Sequence, residues 1–132
     1  MKKLVKILKE IDDTLLSLDE IIRKEYIILL NSKTDVKKLS DIISKKHDFL
    51  NKLNNLKKTQ LYLEKTYNVF PPYAQHTELN YFLKKIINKC ILLNKRNYKN
   101  KILIKHKFYL NQTFLNFYKS FNKKVTYDLH GN

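Results

Sequence analysis

Glycine, proline and cysteine are almost missing from this chain of 132 residues, which holds one Gly, two Pro and one Cys. A lone glycine (Gly131) supplies few of the positive-φ positions that repeated hairpins need, which argues against a multi-turn β architecture and excludes a glycine-rich phosphate loop. A single cysteine, Cys90, rules out an internal disulfide and any four-cysteine metal site, in keeping with a reducing compartment. Acidic residues are also scarce, 12 against 27 Lys and Arg, for a formal charge of +15. Long apolar runs are lacking too. Lys6, Lys9, Glu10, Asp12 and Asp13 break every run that could serve as a signal-peptide core. The longest stretch without acidic or basic side chains, His aside, is the 12 residues Thr66 to Thr77, which contain both prolines. That is too short to span a bilayer, so a soluble, cytoplasmic protein of one domain is expected.

What is abundant is lysine (25), asparagine (14) and isoleucine (13). An AT-rich genome would impose that bias on any protein, so the charge is only in part a signature of a nucleic-acid partner.

The apolar residues recur at helical spacing. Leu4, Leu8, Ile11, Leu15, Leu18 and Ile22 advance by fours and threes, a count that continues through Glu25 to Leu29. After the break at Asn31–Thr34, Ser32 followed by Asp35 resembles a capping box. A second seam uses Ile42, Phe49, Leu53, Leu56, Leu63 and Tyr67, with Lys46 and Gln60 at skipped positions. Pro71 and Pro72 end it, in the only linker-like stretch of the chain. Thr77 is a good N-cap for a third seam: Leu79, Leu83, Ile86, Cys90, Leu93, Asn97, Asn100, Ile104, Lys107, Asn111, Phe114, Tyr118 and Phe121. These signals predict an all-α fold, an antiparallel up-down-up three-helix bundle or coiled coil. Its helices fall at about 2–31, 35–67 and 77–122, forming one domain over 1–122 ahead of a flexible tail, 123–132. The third helix, the longest, should overhang the other two.

The residues give little to catalysis. His47, His76, His106 and His130 lie apart and have no partner at metal-ligand spacing, so neither a metal nor a cofactor is expected, nor an enzyme. Cys90 reads as a small core residue, and Asp12–Asp13 and Asp19–Glu20 as a solvated face. Lys95, Arg96, Lys99, Lys101, Lys105 and Lys107 could track a phosphate backbone, yet only two of the 27 cations are arginine, the residue suited to bidentate phosphate contacts. The stretch Phe108–Phe121 is apolar on more than one side, which suits a helix that docks on a partner or a second copy. Asn97, Asn100 and Asn111 occupy seam positions, where a buried amide must make its hydrogen bonds. Two roles are open for them: fixing the register of the bundle, or capturing a partner backbone.

From Leu93 onward the chain resembles the FlgN family of flagellar export chaperones. Asn97-Tyr98-Lys99-Asn100, the pair Leu103-Ile104, Asn111-Gln112 and the tail Tyr127-Asp128-Leu129-His130-Gly131 stand in that family's order, without gaps, over about 35 residues. Lys101 replaces a glycine usual in the family, and the common Asp before the last Gly is missing. The resemblance implies a cytoplasmic, non-enzymatic chaperone that binds the C-terminal helical regions of hook-associated proteins and delivers them to the flagellar type III export gate. It implies partner contacts at or around Asn97, Asn100, Ile104, Asn111, Phe114, Phe117 and Phe121, and export-gate docking through Tyr127. Membrane insertion and nucleic-acid binding are not expected, and a monomer or weak dimer is. The rival readings are a basic helical nucleic-acid binder and a coiled-coil adaptor or homodimer.

Overall fold

A computed structural model describes residues 1–31, 33 and 35–107. It holds three helices, α1 (Lys2–Leu30), α2 (Val36–Tyr67) and α3 (Thr77–Lys107), with no strand among the described residues. The expected extension of the third helix to residue 122, its overhang and the tail 123–132 lie outside the described residues, as do Asn111, Phe114, Phe117, Phe121 and Tyr127.

Local chemistry sets the helix ends. Asp35 caps α2 with its own side chain, whose Oδ1 accepts from the amides of Lys37 and Lys38 at 3.0 and 3.2 Å. Sequence spacing placed Ser32 in that role; Asp35 sits at the position where a short carboxylate reaches the free amides of the first turn. Thr77 is likewise the first residue of α3 and not its cap, since the Asn80 amide bonds to the His76 carbonyl at 2.9 Å. α2 ends on Asn68 in the left-handed conformation (φ 54°, ψ 44°), with the amides of Asn68 and Val69 turned back onto the Lys65 and Glu64 carbonyls. In a chain with one glycine, asparagine fills this place because its side chain tolerates positive φ best among the rest.

The prolines do stop α2, but the segment after them is not a loose linker. Tyr73 is 1% exposed, its amide bonds to the Phe70 carbonyl and its carbonyl accepts from His76, and Asn80 Nδ2 donates to the Pro72 carbonyl at 2.7 Å. Tyr73 also holds φ at 57°, a conformation a bulky residue keeps only when its surroundings fix it.

α1 is the hub, packing along its length against both α2 and α3. Asp12 meets Lys89, Asp19 meets Arg96 and Ile22 meets Asn100, so α1 and α3 run parallel; Glu25 meets Lys46, so α2 runs opposite to both. All eight seam positions of α1 are buried, from Leu4 to Leu29. The apolar interior is in two parts. A large cluster joins Leu4, Leu8, Ile11, Leu15, Leu18 and Ile22 to Leu50, Leu63, Tyr73, Leu79 and Leu93. A small one joins Leu29, Leu39, Ile43 and Ile104 at the end where α1 turns into α2. Cys90 packs half-buried against the large cluster, and that burial pushes its thiol pKa up, the opposite of what a nucleophile requires.

Candidate functional site

Between the two clusters lies a polar layer to which every helix contributes. Glu25 of α1 is fully buried. Lys46 of α2 donates from Nζ to both Glu25 carboxylate oxygens at 2.9 Å and to Asn97 Oδ1 at 2.8 Å. Asn100 of α3, 1% exposed, donates from Nδ2 to Glu25 Oε1 at 2.8 Å and to the Ile22 carbonyl at 2.9 Å. A charge taken from water is costly unless opposite charge and hydrogen bonds replace the solvent, and here both do. The heptads carried this signal: Glu25, Lys46, Asn97 and Asn100 are polar intrusions in three largely apolar seams, and they converge at one level.

The layer locates part of the sequence-derived site. Asn97 and Asn100 are brought together, facing α1 and α2, and bond to Lys46, Glu25 and the Ile22 carbonyl inside the bundle. Ile104 is one turn further along, buried in the small cluster. Of the two roles open to the asparagines, the contacts present here, to Ile22, Glu25 and Lys46, are the kind that bundle register requires. Lys101, half-buried beside the layer, has its ammonium pKa lowered by burial first and then by Lys105 and Lys46.

A second polar cluster closes the opposite end. Tyr73 Oη donates to Glu64 Oε2 and accepts from Gln60 Nε2 at 3.0 Å, and Gln60 Nε2 also reaches Glu64 Oε2 at 3.3 Å. All three side chains are buried. Sequence reasoning found Gln60 as a skipped seam position but missed Tyr73, because a loop residue follows no period.

Two expectations about charge need correction. Asp12 and Asp19 do not belong to a solvated face; they are the rungs between α1 and α3. Asp12, 5% exposed, pairs with Lys89 and with Lys85 at 3.6 Å, while Asp19 takes both arginines of the chain, Arg96 across the interface and Arg23 on its own helix at 3.1 Å. The basic run of α3 is not one stripe either. At 100° per residue Lys95, Arg96, Lys99, Lys101 and Lys105 point to several sides of the helix, and Arg96 is engaged with Asp19.

Beside the layer, on the flank of α1 and α3 away from α2, is an open cleft of about 420 Å³. Ile22, Tyr26 and Ile27 form its apolar wall, with Arg23, Arg96, Lys99 and Asn100 around them. Among the described residues no group of three His, Cys, Asp or Glu could hold a metal, and no helix is long and apolar enough to cross a membrane.

The molecule so defined is a small all-α bundle of coiled-coil type, with its polar layer inside and its open features on the helix flanks. The chain belongs to the FlgN family: the family model described as FlgN protein matches residues 1–132. Two relatives from Buchnera aphidicola carry the name "Putative flagella synthesis protein FlgN". The one from subspecies Schizaphis graminum is 47% identical over 99% of this chain and 97% of its own length. The one from subspecies Acyrthosiphon pisum is 46% identical over 100% of this chain and 98% of its own. No solved structure matches the chain. Family membership places the protein in flagellum biogenesis, with a chaperone role in flagellar export.

Proposed function

We propose that this chain is a cytoplasmic, non-enzymatic chaperone that holds hook-associated, hook–filament junction proteins before their secretion and hands them to the type III export gate. The observation that carries this reading is the match to the FlgN family along the whole chain, which includes the ordered set Asn97–Asn100, Leu103-Ile104, Asn111-Gln112 and Tyr127–Gly131. The physical case agrees. An exported subunit keeps apolar helical segments exposed until it assembles, and a partner offering apolar side chains at helical spacing covers them. The stretch Phe108–Phe121 offers eight such groups in 14 residues, among them Phe114, Phe117 and Phe121.

The division of labour within the C-terminal quarter is testable. Deleting residues 108–132 should abolish complex formation with the C-terminal helical region of a hook-associated protein, as read by calorimetry. Tyr127→Ala should keep that complex and weaken docking to the export gate. Unchanged cargo affinity after the deletion would refute the assignment of Phe108–Phe121, and equal loss of both activities in Tyr127→Ala would refute the separation.

A further inference from the structure

Among the described residues the α1–α3 cleft is a surface feature to which the proposed function above assigns no role. On α1 the exposed side chains Leu16, Arg23, Ile27 and Leu30 follow one another at steps of seven, four and three, which sets them along one side of the helix. On α3 the exposed Leu92 and Lys99 and the half-buried Arg96 are likewise set along one side, at steps of four and three. Ile27 is 63% exposed, Leu30 57% and Leu16 50%, an uneconomical arrangement for a flank that faces only water. The cleft itself spans under two helical turns, Ile22–Ile27 on α1 and Arg96–Asn100 on α3, with an apolar wall and basic lips, and the exposed Leu16, Leu30 and Leu92 continue its flanks on either side.

The charge names the occupant. Arg23 and Arg96 share one carboxylate, Asp19, so with Lys99 the lips retain an excess of positive charge. The only two arginines among 27 cations both stand here. A guanidinium presents several donors in a planar fork, so one that already grips Asp19 still has N–H groups for a second carboxylate. A second copy of this chain, at +15, would be repelled, and so would the chain's own C-terminal segment, where Lys119, Lys123 and Lys124 face only Asp128.

We propose that the α1–α3 groove is a second docking site, separate from the C-terminal stretch, for an amphipathic helix of a partner protein that sets aspartate or glutamate beside an apolar stripe. Apolar side chains of that helix cover Ile27, Tyr26 and Leu30 while its carboxylates reach Arg23, Arg96 and Lys99. The proposal rests on the chaperone reading only for which protein supplies the helix.

Fluorescence anisotropy on the full chain tests it, using a labelled peptide of about three heptads with leucine at a and d and glutamate at e and g. A matched peptide with lysine in place of glutamate is the charge control. The variant Ile27→Glu/Lys99→Glu alters exposed groove residues, and Lys58→Glu/Leu61→Glu makes the same kind of change on the exposed side of α2. The glutamate peptide should bind and the lysine peptide should not. Affinity should fall about tenfold or more in the groove variant and stay within about twofold in the α2 variant. Equal losses in the two variants would reduce the effect to general basic attraction and overturn the proposal. So would a micromolar dimer that the groove variant breaks, which would assign the groove to a second copy. A chain that binds the glutamate peptide but no hook-associated protein supports the groove and overturns only the cargo reading. A groove variant that loses the peptide yet binds a hook-associated protein at full strength keeps the docking site and shows that this cargo does not use it.

Discussion

Replacing Lys46 with methionine should lower the unfolding free energy by about 3–5 kcal/mol, a large share of the ~5–15 kcal/mol typical of a domain this size. Among the described residues Lys46 is the cation that pairs with the fully buried Glu25 carboxylate, and Asn97 Oδ1 accepts from the same ammonium. Methionine fits the space but leaves Glu25 with only the Asn100 amide, so the loss comes from a stranded charge and not from packing. The double variant Glu25→Leu/Lys46→Met separates the two. With both charges gone, stability should return to within about 1–2 kcal/mol of the parent or exceed it, because a buried ion pair is worth little against well-packed apolar groups. Urea unfolding monitored by helical dichroism reads both values. What the layer contributes is specificity. A polar level shared by three seams penalises every slipped register, since a shift of one turn would set Glu25 among leucines.

Tyr73→Ala should cost about 3–5 kcal/mol, and Tyr73→Phe about 1–3. The first removes the largest fully buried side chain of the interior, which ties the connection between α2 and α3 to the large cluster. The second keeps the ring but takes the hydroxyl away from Glu64 and Gln60, both buried. Tyr73 carries a pH signature as well. Burial first, then hydrogen bonding to Glu64, raises its phenol well above the ordinary tyrosine value of 10. A raised folded-state pKa means the contribution is complete below pH 10 and declines above it, as unfolded chains release a proton that folded ones keep. Stability should therefore fall more steeply above pH 10 in the parent than in Tyr73→Phe. Equal alkaline slopes would show that the phenol is not shielded.

The fold was legible because the seams are long. Steps of three and four sustained from Leu4 to Leu29 leave no reasonable alternative to α1, and two adjacent prolines could only end α2. Even the polar layer left a trace, in Lys46, Asn97 and Asn100 standing where apolar residues were due. The pairing itself was not legible, because a seam gives each helix a face but not a rotation or offset against its neighbours. For the same reason Asp12 and Asp19 read as solvated: their partners lie 77 residues away on α3, and only the parallel alignment of α1 and α3 brings them together. Tyr73 escaped notice on other grounds. Its burial follows from a left-handed backbone in a loop, which no periodicity announces.

Of the sequence-derived site, Asn97, Asn100 and Ile104 are buried in the bundle, and Asn100 also lines the cleft. The cleft beside them went unforeseen because it joins exposed residues of two helices, each unremarkable on its own wheel. On the two proposals above, the bundle 1–107 holds a fixed register and presents a groove, while apolar capture falls to the residues that follow.

Titration of the C-terminal helical region of a hook-associated protein into the full chain, repeated at low and high salt, tests the account most directly. It predicts a saturable one-to-one complex that persists at high salt, because apolar burial by Phe108–Phe121 dominates it and carboxylate contacts at the groove add only a modest salt-sensitive part. Absence of that complex, alongside binding of duplex DNA that falls steeply with log salt concentration, would contradict it and leave a basic nucleic-acid-binding bundle in its place.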